Sequence, residues 1–485
     1  MPVLRRHAPQ SPKRIEPRIG VDVVAMRTLA MAGEGRHGDN SGMTPRTLSD
    51  WLDYIQAQHP KTIAMGLERV RAVAERMALP RPARHVIAIG GTNGKGSTVA
   101  FIEAIARAAG WRVGAYTSPH LRRYNERVRI DGDDADDASL VAAFEAVEAA
   151  RDGMADDSMP DDSMPDDSMP DDSLPLTYFE YGTLAALWLF AHRDLDLAIL
   201  EVGLGGRLDA VNIVDPDVAV ITTVDLDHQD WLGDTIEAIG AEKVGIARAW
   251  KPLVLGDDDP PSSVLGHAYA IGASAVRIGC DFFFERSDDD DGHWRWREIG
   301  CELDLPMPQL AAPVQLRNAA VAIAALRALP VDLPEAAFID GVREARVAAR
   351  LQRFERDGVE IVVDVGHNPQ AARALAAWLE AMPVVGPTHA VFAALGDKDM
   401  AGVVAALAGR IDHWWLAGLA NAGSRGLTVD MFAERLAGTA AATGRRLPSV
   451  DEALAAARRE AAPGARILVF GSFHTAAAAL AALAA

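Results

Sequence analysis

One stretch of this chain, RHVIAIGGTNGKGSTVAFIEAIARAAG at residues 84–110, constrains the fold more than any other. A short apolar run at residues 86–89 is followed by a loop with four glycines and one lysine. The pattern then predicts an amphipathic helix that starts near Ser97 and stops at Gly110. Glycines let backbone N–H groups converge without Cβ clashes, and a helix N-terminus adds partial positive charge. The stretch therefore predicts a strand, an anion-binding loop and a helix.

The side chains of this loop favour phosphate as the anion. Lys95 can reach a terminal phosphate, and the hydroxyl of Ser97 or Thr98 can serve a bound magnesium ion. The strict phosphate-loop pattern G-x-x-x-x-G-K-[ST] is not met, because Gly96 separates Lys95 from Ser97. A glycine-rich turn that binds no ligand is the alternative interpretation.

From residue 86 onward, apolar runs alternate with amphipathic helical segments. This alternation is typical of an α/β fold, a mostly parallel sheet with helices on both faces. The predicted strands of this first part are residues 86–89, 113–116, 197–202 and 218–223. Residues 282–305 break the alternation and predict a small antiparallel unit around an acidic turn.

A second α/β series begins near Phe354. Its predicted strands are residues 361–365, 390–393, 413–416 and 467–470, and its predicted helices are 369–382, 401–409, 429–436 and 451–460. Three segments are therefore expected: a disordered extension at 1–45, a phosphate-loop domain at 46–345 and a smaller domain at 346–485. Ligands collect at the carboxyl ends of strands in open α/β sheets, so two such domains make a cleft that can close on substrates.

Most of the net charge of −20 is concentrated in one part of the chain. Residues 131–172 contain 16 Asp or Glu and one Arg, and the tandem repeat DDSMP DDSMP DDSMP DDSLP occupies residues 156–175. Dense like charge with recurrent proline cannot support a packed core, so residues 153–175 are predicted to be a disordered surface insertion. A calcium-binding tract is the alternative, but the repeats lack the glycine and the spacing of a calcium loop.

Composition excludes several classes of protein. Cys280 and Cys301 are the only cysteines, which indicates a reducing compartment and no disulfide framework. No apolar run approaches the roughly 20 residues of a membrane helix, and the N-terminus lacks the apolar stretch of a signal peptide. The sequence contains no basic stripe that could bind nucleic acid. We expect a cytoplasmic protein that binds neither membrane nor nucleic acid.

Two polar residues follow neighbouring predicted strands, at the edge where ligands collect. Glu201 ends a buried strand directly before a glycine loop, and His228 follows the next strand along the chain. A carboxylate beside a phosphate site fits magnesium ligation, whereas imidazole is not the ligand that magnesium prefers. The alternatives are a carboxylate that caps the loop at Glu201 and a packed or exposed histidine at His228.

Three further residues are candidates of less defined chemistry. Lys243 lies on a predicted helix, and its neighbours in sequence favour a solvated lysine. Asp364 ends a strand of the second series, where it either orients a ribose or adenine or caps the helix that opens at Pro369. Lys398 ends the next strand, where it can meet a carboxylate or a phosphate.

Motifs run in order along the chain from about residue 46 to residue 475. They are HPKTIAMGLERV (59–70), GTNGKGST (91–98), YTSPHLRRYNERVRI (116–130), LTYFEYGTLAALWLF (176–190), LEVGLGGRLDAVNIVD (200–215), LDHQDWLG (226–233), EKVGIAR (242–248), RNAAVAIAALRA (317–328), DVGHNP (364–369), GDKD (396–399) and GSFHT (471–475). Together they resemble the Mur-ligase-like folate synthetases, the bifunctional dihydrofolate synthase/folylpolyglutamate synthase family. This set is far more specific than the phosphate loop alone.

The resemblance implies a Mur ligase architecture. Residues 46–345 would form a phosphate-loop NTPase-like, ATP-binding domain, and residues 346–485 a Rossmann-like glutamate ligase domain. The implied activity is ATP-dependent addition of L-glutamate to dihydropteroate and to reduced folates through an acyl phosphate, carried out by a monomer. A peptidoglycan Mur-type ligase and a non-ligating ATP-dependent switch are the alternatives, but the GLERV and TYFEYGT segments favour folate.

The resemblance also implies nucleotide- and metal-binding roles. The ATP phosphates would be held by Thr92, Asn93, Gly94, Lys95, Gly96 and Ser97, and the rest of the nucleotide by Asn318, Arg353 and Asp364. Mg²⁺ would be bound by Ser118, Glu201 and His228, with a second ion at Lys243, which matches a carbamylated lysine. Lys95, His228 and Lys243 would be the catalytic residues.

Three segments would hold the pterin substrate, by the same resemblance. They consist of Thr62, Ile63 and Ala64, of Thr177, Tyr178, Phe179 and Glu180, and of Leu208, Asp209 and Ala210. The chain departs from the family in two ways that bear on these assignments. A Pro-Gly pair usually precedes the arginine matched to Arg353, whereas this chain has Leu351-Gln352, and the acidic repeats lie directly before Thr177.

Overall fold

Both predicted α/β series form sheets in the computed structural model, which describes residues 46–58, 64–151, 174–287, 292–310 and 312–484. The predicted extension at 1–45 and nearly all of the predicted insertion at 153–175 lie outside the described residues, as do Thr62 and Ile63. None of the helices in the described ranges combines the length and apolar character needed to cross a membrane.

The first sheet follows the predicted alternation. Its strands are β1 (His85–Gly90), β2 (Val113–Tyr116), β3 (Val128–Ile130), β4 (Asp133–Asp134), β5 (Leu197–Glu201), β6 (Val218–Ile221), β7 (Pro252–Leu255) and β8 (Ser274–Arg277). They lie in the order β4-β3-β2-β5-β1-β6-β7-β8. From β2 to β8 the pairing is parallel, while β3 and β4 run antiparallel at one edge. The predicted parallel sheet is confirmed, with β1 inside it.

Helices cover both faces of this sheet, because successive residues of a buried strand point to opposite sides. In β1, Val86 and Ala88 belong to one apolar cluster, and Ile87 and Ile89 belong to the other. The helices of this part are α1 (Leu48–Gln58), α2 (Glu68–Arg76), α3 (Lys95–Ala108), α4 (Asp137–Arg151), α5 (Tyr178–Ala191), α6 (Gln229–Leu232), α7 (Ile236–Lys243), α8 (Ser262–Ile271), α9 (Val314–Arg327) and α10 (Glu335–Glu344).

Helix α3, which carries the glycine-rich loop at its N-terminus, is packed against both α9 and α10. Helix α10 comes so close that a Cβ at Gly341 would lie 2.4 Å from Ile105 Cα, so glycine is required there. The helix begins at Lys95, two residues before the predicted start. Gly94, with φ of +91°, supplies the turn that permits this earlier start.

The predicted antiparallel unit is confirmed as a small sheet of three strands. They are β9 (Phe282–Arg286), β10 (His293–Glu298) and β11 (Cys301–Pro306), in the order β11-β10-β9. Trp294 and Trp296 of β10 are fully buried, and Trp296 Nε1 donates a hydrogen bond to Ala320 O on α9 at 3.1 Å. This small sheet therefore packs against α9.

The second α/β series forms a separate sheet of six strands among the described residues. They are β12 (Gln352–Arg356), β13 (Val359–Val363), β14 (Thr388–Phe392), β15 (His413–Ala417), β16 (Arg445–Leu447) and β17 (Arg466–Phe470), in the order β12-β13-β17-β14-β15-β16. All the pairings are parallel except that of β12 with β13. The helices are α11 (Pro369–Ala381), α12 (Met400–Ala406), α13 (Val429–Arg435), α14 (Val450–Glu460) and α15 (Phe473–Ala484).

The structure does not divide the chain at the predicted domain boundary. Contacts group Thr47–Ala485 into one compact unit, so the boundary between residues 345 and 346 stays a prediction.

The described chain stops at the end of α4 and resumes at Leu174, whose N–H donates to Arg151 O at 3.4 Å. The two ends of the predicted acidic insertion therefore meet at one point.

Candidate active site

The glycine-rich loop connects β1 to α3 at the carboxyl end of the first sheet. Its backbone is tied to the segment after β6: Thr92 N donates to Thr223 O at 2.7 Å, and Asn93 N donates to Thr223 Oγ1 at 3.1 Å. A Cβ at Gly94 would lie 2.6 Å from Asn318 Oδ1, so the turn needs glycine and Asn318 lies directly beside it. The structure thus brings the predicted loop and Asn318 together.

The side chain of Lys95 folds back over this loop. Its Nζ donates hydrogen bonds to Gly91 O at 2.9 Å and to Thr92 O at 3.4 Å. Ser97 and Thr98 follow in the first turn of α3 and are buried, and Thr98 Oγ1 has no hydrogen-bond partner among the described residues. A cation, helix N–H groups and a spare buried hydroxyl suit an anion that carries a divalent cation.

Glu201 ends β5 beside the start of α3, and it is 5% exposed. A Cβ at Gly96 would lie 3.9 Å from Glu201 Oε2, and the N–H of Ser118 donates to the same oxygen at 3.1 Å. Burial raises the pKa of Glu201, while the charge of Lys95 and the hydrogen bond from Ser118 oppose that rise. A bound cation would favour the charged carboxylate here.

His228 directly precedes α6 and has a φ of +53°, a left-handed backbone that is uncommon for a residue with a side chain. Its N–H donates to Asp227 Oδ1 at 2.9 Å. Burial, and then the charge of Lys398, lower the pKa of His228 to about 4. The imidazole is therefore neutral at neutral pH and keeps a lone pair for a metal ion.

The structure relates the candidate metal ligands to one another and to Lys95. It joins Ser118 to Glu201, and the charge of Lys95 acts on both Glu201 and His228. Within the described ranges, no three His, Cys, Asp or Glu side chains are grouped so that they could hold a metal ion by themselves.

Lys243 closes α7 and is 4% exposed, so the solvated lysine that its sequence neighbours favour is wrong. Burial, with the charge of Lys95 second, lowers the pKa of Lys243 from 10.5 to about 7. A large share of this amine is therefore uncharged at neutral pH, and an uncharged amine is a nucleophile.

Arg353 is not brought to the glycine-rich loop. It lies on β12 with about half of its side chain exposed, and it pairs with Glu360 at 2.5 Å. Arg350 stands in the site instead, since a Cβ at Gly96 would lie 3.8 Å from its Nη2. Burial lowers the pKa of Arg350, and the charges of Asp364 and Glu201 oppose this. None of the sequence motifs singles out Arg350.

One signal in the sequence points to Arg350. Two small residues, Ala348 and Ala349, precede it, and the pair that usually precedes the matched arginine in the family, Pro-Gly, contains a small residue too. The backbone of Ala349 has a φ of +55°, a conformation that glycine adopts readily. A pattern of two small residues before an arginine therefore also fits Arg350.

Asp364 is buried and fixes the backbone next to Arg350. It accepts hydrogen bonds from Leu351 N at 2.9 Å and from Gly366 N at 2.7 Å. The interpretation that Asp364 caps α11 is wrong, because the side chain of Asn368 does so by accepting from Ala371 N. Burial raises the pKa of Asp364, and the charge of Arg350 lowers it.

The three predicted pterin segments converge as far as the structure describes them. Arg69 Nη2 donates both to Ala64 O at 3.2 Å and to Glu180 Oε1 at 2.7 Å. Gly66 N donates to Leu208 O at 3.5 Å. Ala64, the Glu180 segment and the Leu208 segment therefore share one wall.

Several predicted pterin residues already have structural partners. Thr177 and Glu180 cap the N-terminus of α5 reciprocally, each side chain accepting from the backbone N–H of the other. Asp209 accepts hydrogen bonds from Gly203 N at 3.0 Å and from Leu204 N at 2.9 Å. Asp209 therefore caps the glycine loop after β5, a role that the sequence also allowed for Glu201. Burial raises the pKa of Asp209 to about 7 in spite of these hydrogen bonds. Ala210 follows it and is buried.

Aromatic rings pack against one another at this wall. Tyr178 stands edge-on to Tyr124, with ring centroids 5.8 Å apart, and Phe179 lies 6.0 Å from Tyr116. The guanidinium of Arg127 lies 5.4 Å from the rings of both Tyr124 and Tyr178. Tyr178 and Phe179 are sequence candidates, whereas Tyr124 and Arg127, which follow Ser118 in the chain, are not.

The carboxyl ends of the two sheets meet across a cleft. The amides of Asn93 and Asn368 exchange hydrogen bonds of 3.1 and 3.2 Å, and Lys398 Nζ donates to Asp227 Oδ1 at 2.6 Å. Lys398 thus meets a carboxylate, one of the two partners expected for it. A cavity of about 510 Å³ opens beside this contact, and its lining includes His228, Lys398, Trp231 and Arg425.

Two family models match the chain. The Mur ligase middle domain matches residues 170–326, and the Mur ligase, glutamate ligase domain matches residues 349–473. The chain is 42% identical over 429 residues to a dihydrofolate synthase/folylpolyglutamate synthase of Escherichia coli (strain K12). That alignment covers 88% of this chain and 93% of the relative.

Solved structures give the same result. An E. coli FolC in complex with DHPP and ADP matches with a TM-score of 0.80 and 42% identity, over 90% of this chain and 98% of that chain. A bifunctional folylpolyglutamate synthase/dihydrofolate synthase with Mn, AMPPNP and L-glutamate bound matches with a TM-score of 0.79 and 41% identity. The second match covers 91% of this chain and 98% of that structure.

Proposed function

Since this chain belongs to the dihydrofolate synthase/folylpolyglutamate synthase family, we propose that it is an ATP-dependent ligase which adds L-glutamate to dihydropteroate and to reduced folates. One observation carries the proposal: the Lys95 loop, Glu201 and Arg350 face one another where the two sheets meet. A phosphoryl donor and a carboxylate acceptor can therefore share one enclosed site.

The first chemical step activates the acceptor carboxylate. Its oxygen attacks the γ-phosphorus of ATP, the bond to the β-phosphate oxygen breaks, and an acyl phosphate and ADP result. Lys95 and the N–H groups at the start of α3 neutralise charge on the transferring phosphoryl group. The glutamate amine then attacks the acyl carbon, a proton leaves the amine, and phosphate departs.

The residues at the cleft exclude water from this acyl phosphate. Water would hydrolyse it and waste the ATP, so a site that closes before transfer raises the yield of ligation. The Asn93–Asn368 and Asp227–Lys398 contacts hold the two sheets together at this point.

We infer that Ser118, Glu201 and His228 bind a divalent cation, with Mg²⁺ as the physiological ion. The ion would polarise the phosphate oxygens and neutralise their charge. The buried carboxylate of Glu201, the neutral imidazole of His228 and the spare hydroxyl of Thr98 support this assignment.

We further propose that Lys243 is carbamylated and contributes to a second cation site. The neutral amine adds to CO₂, a C–N bond forms and one proton is released. The product is a carbamate, which carries a negative charge. The pKa of Lys243, lowered by burial to about 7, supports this reaction because the amine need not first lose a proton.

We propose that the nucleotide is bound by residues Thr92 to Ser97, Asn318, Arg350 and Asp364. Arg350 takes the role that the sequence match gave to Arg353, since Arg350 is the arginine beside Gly96 and Asp364. Asp364 holds the backbone next to Arg350 in place, and Asn318 lies beside the Gly94 turn.

The pterin is proposed to lie against the aromatic wall of Tyr178, Phe179 and Tyr124, bounded by Ala64 and by the loop of Leu208, Asp209 and Ala210. A flat heteroaromatic ring stacks on such a surface. Thr177 and Glu180 support this wall through the α5 cap. Thr62 and Ile63 stay in the proposal by resemblance only, since they lie outside the described residues.

The organisation of the protein is also a proposal. We propose a cytoplasmic monomer with a boundary between residues 345 and 346. The free cysteines Cys280 and Cys301 support a reducing compartment.

ADP release tests the function. Purified protein receives ATP, Mg²⁺, glutamate and dihydropteroate, each omitted in turn, and the assay is repeated with tetrahydrofolate. Release that requires all components with either acceptor supports the proposal, and Lys95→Ala should abolish it with the protein still folded. Ligation with muramyl precursors alone, or slow ATP turnover indifferent to glutamate and pterin, would replace it with the Mur-type ligase or the switch.

A further inference from the structure

The carboxylate of Asp227 stands where the two sheets meet, and donors from both parts of the chain converge on it. Lys398 Nζ donates to its Oδ1 at 2.6 Å, and so does the N–H of His228 at 2.9 Å. Its Oδ2 accepts from Asn368 Nδ2 at 3.1 Å and lies 3.6 Å from His367 Nε2. Both carboxylate oxygens are therefore committed to fixed partners.

This contact is buried, unlike a similar pair close to it in sequence. The side chains of Asp227 and Lys398 are 10% and 7% exposed. Asp225 also pairs across the cleft, with Arg373 at 2.7 Å, but there the arginine side chain is 60% exposed. Breaking a buried pair leaves an uncompensated charge, whereas an exposed pair contributes little.

Asp227 is also connected to the glycine-rich loop. Asn368 donates to Asp227 and exchanges two hydrogen bonds with Asn93 of that loop. Asn368 is 3% exposed, and its Oδ1 caps α11 by accepting from Ala371 N at 2.9 Å. The loop, the His228 turn and the Lys398 segment therefore share one rigid hydrogen-bonded path.

We propose that Asp227 is a positioning residue that holds His228 and Lys398 in working geometry together, so that one carboxylate sets both the metal ligand and the cation that lines the cavity of about 510 Å³. The proposal rests on the proposed function, because it presumes that His228 meets a divalent cation, and it places the glutamate substrate in this cavity beside Lys398. Asp227 itself touches neither ligand in this assignment.

Two geometric features explain why one residue can set both. His228 has a left-handed backbone, and its N–H is held by Asp227, so the direction of its ring depends on that hydrogen bond. Lys398 follows β14, and its Nζ has Asp227 as its hydrogen-bond partner among the described residues, so this carboxylate orients its ammonium. Loss of the carboxylate thus releases both side chains at once.

The test compares three substitutions in the full-length protein. D227N removes the carboxylate charge and keeps its size, K398M removes the cation alone, and D225N is the matched control that breaks the exposed pair. Two quantities are measured for each: Mn²⁺ affinity in the presence of ADP, by electron paramagnetic resonance, and the KM for glutamate with dihydropteroate. Thermal unfolding reports whether each variant is folded.

The expected result is a distinct pattern for each variant. D227N weakens Mn²⁺ binding and raises the glutamate KM, each by about 10- to 100-fold, the range for residues that support a ligand indirectly. K398M raises only the glutamate KM, and D225N leaves both within about threefold. If D227N does not fold, D227E, which keeps the charge but displaces it by one methylene, is measured instead and should show the same joint loss.

The outcomes separate the two proposals. If the wild-type protein does not ligate glutamate, the proposed function fails. If it does, and D227N resembles D225N or changes only one of the two quantities, the positioning role is overturned while the function stands.

Discussion

The backbone N–H of Ser118 donates a 3.1 Å hydrogen bond to Glu201 Oε2, which joins the ends of the paired strands β2 and β5. The bond fixes a buried carboxylate beside the start of α3. It also means that the two proposed metal ligands move together.

Glu201→Gln should therefore abolish both ligase activities. The amide keeps the size of the side chain and can still accept from Ser118, but it lacks the charge that a cation needs. We expect turnover with dihydropteroate and with tetrahydrofolate to fall by more than about 10²-fold, the upper end for residues that only support a metal ligand. ADP release with each acceptor measures this. Loss of one activity alone would argue against a shared site.

Arg350 and Arg353 give opposite expectations for the same substitution. Arg350→Met should lower kcat/KM for ATP by about 10²-fold or more, because a positioned donor on a phosphoryl group contributes about 3 to 4 kcal/mol. Arg353→Met should change it by less than about fivefold, since an exposed pair contributes about 0 to 1 kcal/mol. Equal losses in the two variants would contradict the reassignment from Arg353 to Arg350.

Lys243→Ala should be inactive and partly rescued by acetate or formate. A short carboxylate can occupy the space of the lost side chain and restore the negative charge that a carbamate would supply. Rescue is measured as the gain in turnover with added carboxylate at constant ionic strength, with chloride as the control salt. An active Lys243→Ala enzyme, or one indifferent to formate, would exclude a carbamate at this position.

The lowered pKa of Lys243 also predicts how carbamylation depends on pH. Only the neutral amine adds to CO₂, so the reactive fraction rises as pH increases through the pKa of about 7. For such a group about one-tenth is neutral at pH 6 and about nine-tenths at pH 8. Enzyme depleted of CO₂ and then given bicarbonate should regain activity with a midpoint near pH 7. A midpoint near pH 10 would mean that the lysine has its ordinary pKa.

The acidic repeats should be dispensable. Leu174 N donates to Arg151 O, so the chain leaves and re-enters at one point and a shorter connection can close there. Excision of residues 156–170 should leave the melting temperature and turnover nearly unchanged, because the entropy of a loop varies slowly with its length. Differential scanning calorimetry and ADP release check this. Loss of most activity would show that the tract affects the Thr177 segment.

The strands and the glycine-rich loop were predictable because their signals are local. Residues 113–116 were predicted as a strand and form β2 with the same bounds, since an apolar run between turns carries its own information. The resemblance then supplied candidates such as Ser118, whose hydrogen bond to Glu201 spans 83 residues of chain.

The missed features depend on tertiary packing. Helix α7 is short, and its sequence does not reveal that its last residue, Lys243, faces inward. No glycine marks the turn before Arg350, because Ala349 adopts a left-handed backbone that glycine adopts more readily. The Asp227–Lys398 contact joins residues 171 positions apart, and no local pattern predicts such a pair.

The close approach of Gly341 to Ile105 has a mechanical consequence. At this contact α3 and α10 leave no room for a methyl group, so the two helices cannot slide past each other. The glycine-rich loop at the N-terminus of α3 is therefore mounted on a rigid pair of helices.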